Sequence, residues 1–184
     1  IAKLKYWETY YWKRASLMAT VSESDRKTVT DMVPQLEPVV IPNGAGEDMI
    51  SEKLEKKKLT QHELLFQGNF SWLQNVEAAE YLINSVYPLL KKEFPGLKIT
   101  IAGQHANKIH NGHSGINIIE IALNDTESVI KLYKTATLFI APIFGPGGTR
   151  LKILAAMACG LPIISTTTGV EGLAVENKRD VILA

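Results

Sequence analysis

Short apolar runs and helical apolar spacing alternate along the chain from about residue 62 onward. Continuous runs of Ile, Val, Leu and Phe predict five buried strands: one that ends at Gly68, then residues 97–103, 116–123, 138–143 and 162–166. Strands of this composition that alternate with helices indicate a mostly parallel sheet with helices on both faces. The predicted fold is therefore a doubly wound α/β domain.

Three helices between these strands have recognisable ends. The first covers residues 75–94, and Pro88 should kink or shorten it because proline has no N–H to donate. The second is capped by Asn124 and Asp125. Its predicted inner face contains Val129, Leu132, Tyr133 and Ala136. The third follows a glycine-rich turn and stops at Gly160, since glycine is common just past the end of a helix.

The first 60 residues have a different pattern. Residues 1–14 are rich in aromatic and basic side chains and predict an amphipathic helix, followed by a short strand at residues 17–21. Ser22, Ser24 and Asp25 are typical of the start of another helix. A β-branched run at residues 39–41 then predicts a strand that ends at the Pro-Asn-Gly turn of residues 42–44.

This organisation predicts three parts. Residues 53–58 are charged and poor in core residues, which predicts a linker or a solvated helix. We therefore assign residues 1–43 to the end of another domain, residues 44–60 to a linker and residues 61–184 to the doubly wound domain. Because the chain begins with Ile1 and stops directly after a strand-like run, we expect a fragment that is truncated at both ends.

Composition narrows the class of protein. The chain has 184 residues, of which 46% are hydrophobic and 21% charged, enough for one well-packed core. The net charge of +1, with Lys and Glu interspersed, provides no basic stripe for a nucleic-acid partner. A single cysteine excludes an internal disulfide, and no apolar run reaches the roughly 18 residues that span a bilayer. Since no secretory signal pattern is present, we expect a cytoplasmic protein.

The glycine-rich turn before the third helix is the strongest candidate for a binding site. It contains Gly145, Gly147 and Gly148, followed by Thr149, Arg150 and Lys152. Backbone N–H groups at a helix start, with Thr149 as the predicted N-cap and two cations beside it, suit a diphosphate. The turn alone supports equally well a tight turn with solvated cations. A nicotinamide fingerprint does not fit, because Arg150 replaces its third glycine.

Five segments in order carry a resemblance to a known family: residues 19–25, 39–44, 66–82, 122–136 and 141–173. The last reads APIFGPGGTRLKILAAMACGLPIISTTTGVEGL, and the third reads FQGNFSWLQNVEAAEYL. Together they resemble the retaining glycosyltransferases of GT-B fold, of the group 1 or family 4 type. The resemblance covers nearly the whole chain and identifies its main part as the C-terminal, Rossmann-like domain that binds the nucleotide sugar.

The resemblance implies transfer of a sugar from a nucleotide diphosphate sugar to a hydroxyl acceptor, either a glycan or a lipid-linked molecule, without a cofactor or a bound metal. It assigns residues 1–43 to the end of an acceptor-binding domain and the interdomain linker. It assigns no catalytic residue. The residues it places at the diphosphate and sugar are Gly68, Asn69, Gly147, Gly148, Thr149, Arg150 and Lys152. Because the rest of the acceptor-binding domain is absent, we expect the isolated fragment to be inactive.

Two departures from the family pattern affect this assignment. The family usually has two glutamates eight residues apart, of which the first contacts the sugar and the second the ribose, and these positions are Gly147 and Ala155. The family's loop after the first donor-domain strand often carries Arg and Lys, whereas residues 68–75 contain neither. A catalytically degenerate module that binds nucleotide sugars or regulates another protein is therefore the alternative function.

Three other features have a structural and a functional interpretation. His105, His110 and His113 lie in one polar loop and could meet at a metal ion, but we favour an exposed loop because no carboxylate or thiol completes the ligand set. Cys159 reads as a small buried residue rather than a nucleophile. The aromatic helix of residues 1–14 could pack on the missing domain, which we favour, or contact the inner face of the membrane.

Overall fold

Residues 2–50, 62–145 and 150–184 are described in a computed structural model of the chain. Within these ranges the chain divides into two units. The first, here called the small unit, contains Ile1–Gly44 and Gly172–Ala174. The second, the large unit, contains Ala45–Glu171 and Val175–Ala184.

The small unit combines two helices with two very short strands. Its elements are α1 (Ala2–Trp12), β1 (Ala19–Thr20), α2 (Glu23–Met32) and β2 (Val39–Val40). The two strands pair in parallel, and both are shorter than the runs that predicted them. The predicted cap of α2 is confirmed, since the Ser22 Oγ accepts a hydrogen bond from the Asp25 N–H at 3.1 Å.

Helix α1 forms as predicted, yet none of its described residues is buried. Its aromatic rings contact one another instead of a core, for example Trp7 and Tyr10 with ring centroids 5.6 Å apart. The Arg14 guanidinium lies 3.5 Å from the centroid of the Tyr10 ring, a cation–π contact. The helix therefore presents an aromatic surface with basic residues beside it.

The large unit is built on a six-stranded parallel sheet in the order β5-β4-β3-β6-β7-β8. The strands are β3 (Glu63–Gln67), β4 (Lys98–Gly103), β5 (Ile116–Glu120), β6 (Leu138–Ala141), β7 (Ile163–Ser165) and β8 (Ile182–Leu183). The chain first adds β4 and β5 on one side of β3 and then returns to place β6 on the other side. The predicted doubly wound fold is confirmed, and the strand order reverses between β3 and β6.

Strands β4, β5, β6 and β7 are shorter than predicted, and β5 and β6 end early for local reasons. Strand β6 ends at Ala141 because Pro142 has no N–H for the ladder, and the Ile143 N–H turns back to the Ala141 carbonyl at 2.9 Å. Strand β5 ends at Glu120 because the chain turns over Ala122, whose carbonyl accepts from the Asp125 N–H at 3.2 Å. The predictions counted the apolar residues beyond these turns as strand.

The helices of the large unit are α3 (Leu73–Tyr81), α4 (Tyr87–Glu93), α5 (Thr126–Thr135) and α6 (Leu151–Ala158). Between α3 and α4 lies a π-helical turn, Leu82–Val86, in which the Tyr87 N–H bonds the Leu82 carbonyl. It ends two residues before Pro88, which has no N–H to donate to the carbonyl four residues earlier. The interruption predicted from Pro88 is therefore present as a π turn within one helical segment.

The core is formed by side chains of the strands and of the inner helix faces, and Tyr133 of α5 is among the largest fully buried ones. Tyr133 and Ala136 on the predicted inner face of α5 are buried, whereas Val129 and Leu132 are half-buried. The Tyr133 ring stacks on Phe139 at 5.4 Å. Its hydroxyl donates to the Lys152 carbonyl at 3.2 Å, and burial raises the pKa of Tyr133, so that it stays a neutral donor. This residue joins α5, β6 and α6.

The ends of β3 and β4 approach each other through their backbones. The Gly68 N–H donates to the Ala102 carbonyl at 3.0 Å. Gly103 has a φ of +140°, and a Cβ added there would lie 1.9 Å from the Gly68 carbonyl oxygen. Only glycine fits this position, which the sequence analysis treated simply as the end of a strand.

We predict that Gly103→Ala lowers the free energy of unfolding by roughly 2 kcal/mol or more, because the methyl group collides with backbone and the φ is strained. Gly112→Ala is the matched control, since Gly112 is exposed and nothing lies within 4 Å of an added Cβ. It should change stability by less than about 0.5 kcal/mol. Urea unfolding of both variants measures the difference, and equal stabilities would contradict the close approach.

Candidate functional site

The reversal of strand order brings two loops together at the carboxyl edge of the sheet. One follows β3 at residues 68–72, and the other follows β6, where residues 142–145 and 150 are described. In open α/β sheets a crevice for ligands opens at this reversal, because the two loops leave the sheet toward opposite faces. Four predicted site residues lie here within the described ranges: Gly68, Asn69, Arg150 and Lys152. The other three, Gly147, Gly148 and Thr149, lie outside the described residues.

Lys152 reaches from the first turn of α6 to the loop after β3. Its Nζ donates a hydrogen bond to the Asn75 Oδ1 at 2.5 Å. A Cβ added to Gly68 would lie 3.1 Å from the same Nζ, so the missing side chain at Gly68 leaves room for the ammonium. The Nζ also lies 5.1 Å from the centroid of the Phe66 ring. Two residues predicted to approach the ligand from opposite sides, Gly68 and Lys152, are therefore neighbours.

The environment of Lys152 favours an anionic ligand. Burial, with a smaller contribution from the nearby charge of Arg150, lowers the pKa of Lys152 to about 7. In the described part of the chain, no carboxylate forms an ion pair with its Nζ. An anion that binds beside the ammonium would restore the preference for the charged form. Lys152 is thus a desolvated amino group with a pKa of about 7, which a bound anion would hold in its charged form.

Arg150 is buried, which contradicts the interpretation that it is solvated. Its Nη2 donates to the carbonyls of Gly145 at 2.9 Å and Thr168 at 3.3 Å, while its Nε has no hydrogen-bond partner among the described residues. Burial lowers its pKa, and the charge of Glu171 opposes this change. Arg150 therefore braces the turn before α6 against the segment after β7.

The start of α6 differs by one residue from the prediction. The helix begins at Leu151, and Arg150 stands at the N-cap position without a side-chain capping bond. Thr149, the predicted cap, lies outside the described residues. The predicted end is confirmed, since Gly160 has a φ of +64° just past the helix.

Three amides form a network that the sequence analysis missed. The Asn75 Nδ2 donates to the Asn69 carbonyl oxygen at 2.7 Å, and the Asn69 Nδ2 donates to the Gln104 Oε1 at 2.7 Å. The Asn69 Oδ1 accepts from the Ser71 N–H at 2.9 Å. Asn75 is buried, although its sequence context, the polar start of an amphipathic helix, is typical of a solvated residue. We call Gln104, Asn69, Asn75 and Lys152 the amide relay.

The loop after β6 is held on both sides. Phe144 packs edge-to-face on Tyr81 of α3, with ring centroids 5.1 Å apart. The Thr166 hydroxyl donates to the Ile143 carbonyl and accepts from the Gly169 N–H at 2.9 Å. The segment that leads into the glycine-rich turn is therefore fixed between α3 and the chain after β7.

Ala155, the position of the family's second glutamate, is half-buried in α6. It comes three residues after Lys152, and residues at this spacing share one face of an α-helix. A longer side chain at this position would leave the helix on the same side as Lys152. Its assignment to the ribose remains a prediction.

The remaining candidates have structural partners. The His113 ring packs on Tyr87 with centroids 5.0 Å apart, while His105 and His110 are exposed. Across residues 2–50, 62–145 and 150–184, no three His, Cys, Asp or Glu side chains meet in a way that could hold a metal ion. Cys159 is buried as predicted, and its Sγ donates to the Met49 carbonyl at 3.1 Å.

Among the described helices, none is both long enough and apolar enough to cross a bilayer.

Sequence comparison gives a family and a relative. Residues 61–184 match the family described as Glycosyl transferases group 1. Over 175 residues, 91% of the chain, the sequence is 27% identical to an uncharacterized 44.6 kDa protein in the cps region of Klebsiella pneumoniae. The chain spans 43% of that protein, less than half of its length.

Two solved structures are similar in fold. One is WaaG, a glycosyltransferase involved in lipopolysaccharide biosynthesis, with a TM-score of 0.57 and 19% identity over 86% of this chain and 45% of WaaG. The other is the GtfA/B complex, with a TM-score of 0.54 and 14% identity over 95% of this chain and 35% of the matched chain. These likenesses confirm the expected GT-B type of fold. Together with the family match over residues 61–184, they lead to one conclusion: the chain belongs to the Glycosyl transferases group 1 family.

Proposed function

We propose that the complete protein transfers a sugar, a hexose by resemblance to the family, from a nucleotide diphosphate sugar to a hydroxyl acceptor. In this proposal the large unit binds the donor at the strand-order reversal between β3 and β6. The observation that carries the proposal is the Lys152 ammonium, which lies against Gly68 with no carboxylate ion-pair partner in the described ranges.

The chemistry follows from charge. As the bond between the sugar and the diphosphate breaks, negative charge grows on the departing diphosphate and must be stabilised. Lys152 supplies a positive charge, and the backbone N–H groups at the start of α6 supply oriented dipoles. We propose that Gly147, Gly148 and Thr149 contribute these N–H groups, that Gly68 and Asn69 border the other side, and that the sugar is transferred with retention and without a metal ion or cofactor.

The relatives suggest the kind of acceptor. The relative from Klebsiella pneumoniae is a protein of the cps region, and WaaG is involved in lipopolysaccharide biosynthesis. We therefore propose a growing glycan or a lipid-linked acceptor, with the reaction on the cytoplasmic side of the membrane. The exposed aromatic surface of α1 would then pack on the acceptor-binding domain or contact the membrane surface.

Two observations favour a second function. Ala155 removes the carboxylate that the family places on the same helix face as Lys152, and the loop after β3 contains no Arg or Lys. A degenerate module that binds nucleotide sugars without transferring them would tolerate both changes. Calorimetric titration with UDP-glucose and GDP-mannose, followed by a transfer assay on the complete protein, separates the two functions. Transfer supports the enzyme, and binding without transfer to any glycan or lipid-linked acceptor supports the module.

We predict that Lys152→Met weakens binding of a nucleotide diphosphate sugar by roughly tenfold at pH 6, because the variant loses the charge that faces the diphosphate. Binding to the unmodified protein should weaken as the pH rises through about 7, where Lys152 loses its proton. The diphosphate of such a donor does not titrate between about pH 6 and 9, so the change reports on the protein. Titrations of both proteins at pH 6, and of the unmodified protein above about pH 7, measure these changes in affinity.

The control for this prediction is Lys134→Met, on the exposed surface of α5, which should bind as the unmodified protein does.

The pH dependence of stability gives a second measurement of the Lys152 pKa. The lowered pKa means that between about pH 7 and 10 the unfolded chain holds a proton on Lys152 that the folded chain lacks. The free energy of unfolding should therefore rise with pH across this window, relative to Lys152→Met. A pH-independent affinity in the unmodified protein would contradict the role of Lys152.

We also predict that Ala155→Glu in the complete protein tightens nucleotide-diphosphate binding by roughly tenfold, because a carboxylate there would accept hydrogen bonds from the ribose hydroxyls. Ala155 is half-buried, so the fold should tolerate the longer side chain. Ala155→Gln is the matched control, since it has the same shape without the charge and should gain less affinity. Equal or weaker binding in a folded Ala155→Glu variant would place the ribose elsewhere.

A further inference from the structure

We propose that Asn75 is a positioning residue that holds the Lys152 ammonium at the donor diphosphate without neutralising its charge. The proposal rests on the donor-binding function proposed above. It concerns the last hydrogen bond of the amide relay, which joins Asn75 and Lys152 across 77 positions of the sequence.

The Lys152 ammonium needs a hydrogen-bond partner to fix its position. Its side chain has four flexible carbon–carbon bonds, and the Phe66 ring beneath the Nζ offers no directional hydrogen bond. Among the described residues, the Asn75 Oδ1 accepts a hydrogen bond from this Nζ at 2.5 Å. Since Asn75 is buried on α3, it provides a fixed point for a group that belongs to α6.

The orientation of the Asn75 amide is determined by its second hydrogen bond. Its Nδ2 donates to the Asn69 carbonyl oxygen at 2.7 Å, so the Oδ1 must face Lys152. The reversed amide would place an NH₂ group against the ammonium and a carbonyl against a carbonyl, and both contacts are repulsive. Asn69 is itself fixed by Gln104 and by the Ser71 N–H. The loops after β3 and β4 thus set the position of the cation.

The role proposed for Asn75 depends on its side chain being uncharged. A carboxylate there would pair with the ammonium and reduce its attraction for a diphosphate, whereas an amide holds the ammonium and leaves its full charge for the ligand. The other titratable groups near Lys152 do not offset its charge. Arg150, at the N-cap of α6, adds positive charge. The buried Tyr133 of α5 is neutral, and its hydroxyl donates to the Lys152 backbone carbonyl and to the Gln67 Oε1.

The test measures the titration of Lys152 directly in the ligand-free protein. Carbon-13 NMR of labelled lysine side chains gives its pKa, with Lys152→Met identifying the signal. Asn75→Ala removes the acceptor and should lower the pKa by about one unit, while Asn75→Asp adds a negative charge and should raise it by about one unit or more. Opposite shifts are the expected result, because a loss of packing alone would move both variants in the same direction. Asn75→Ser replaces Asn75→Ala if the latter does not fold.

Binding of UDP-glucose and GDP-mannose to the same variants completes the test. At pH 6, Asn75→Asp should weaken binding of the donor by more than about tenfold, although Lys152 is then fully protonated, because its charge is already paired. An unchanged Lys152 titration in both variants, or shifts of the same sign, would overturn the positioning role whether or not the donor binds. If the shifts are opposite and the unmodified protein binds neither probe at any pH, the positioning of Lys152 stands and the proposed donor site is wrong.

Discussion

The central strand β3 pairs with β4 on one side and with β6 on the other, and the candidate site depends on this double pairing. Because the chain reverses its direction of travel across the sheet at β3, the loops that follow β3 and β6 leave toward opposite faces. They open a crevice at the carboxyl edge. Every side chain of the amide relay lies in one of these loops, in the adjoining helix start, or after the neighbouring strand β4.

Two cations stand at this edge, and they have different physical roles. The Arg150 guanidinium is buried and donates to backbone carbonyls on either side of it, so its hydrogen bonds serve the shape of the loop. The Lys152 ammonium is held by a single neutral amide and has no ion-pair partner in the described ranges. In the sequence Arg150 and Lys152 look equivalent, because they are two basic residues in one helical turn. In the structure Arg150 holds the loop in place, whereas Lys152 has a charge that can face a ligand.

This arrangement bears on the two departures from the family pattern, the loop after β3 without Arg or Lys and the alanine at position 155. The loop after β3 has no Arg or Lys, and its polar groups are the neutral Asn69, Ser71 and Asn75. In the proposed donor site, positive charge at this loop comes from Lys152 on α6, which passes through the space left by Gly68. The loss of the family's second glutamate at Ala155 then leaves the proposed site dependent on the diphosphate for most of its affinity.

The parts of the structure that rest on local interactions could be predicted from the amino-acid sequence. Apolar runs gave the parallel strands and the doubly wound fold, and the caps at Ser22 and Asp125 were readable because each bonds an N–H three residues away. The interruption near Pro88 was also readable, since a missing N–H is a property of one residue.

The tertiary structure alone decided the contacts between residues far apart in the chain. The burial of Asn75 and Arg150, and the reach of Lys152 to Gly68, depend on how α3, α6 and the ends of the strands meet. The requirement for glycine at Gly103 likewise comes from a carbonyl in another loop. No local sequence pattern indicates such contacts, because the same polar residue could equally lie on a solvated surface. The packing of distant elements decides whether it is buried.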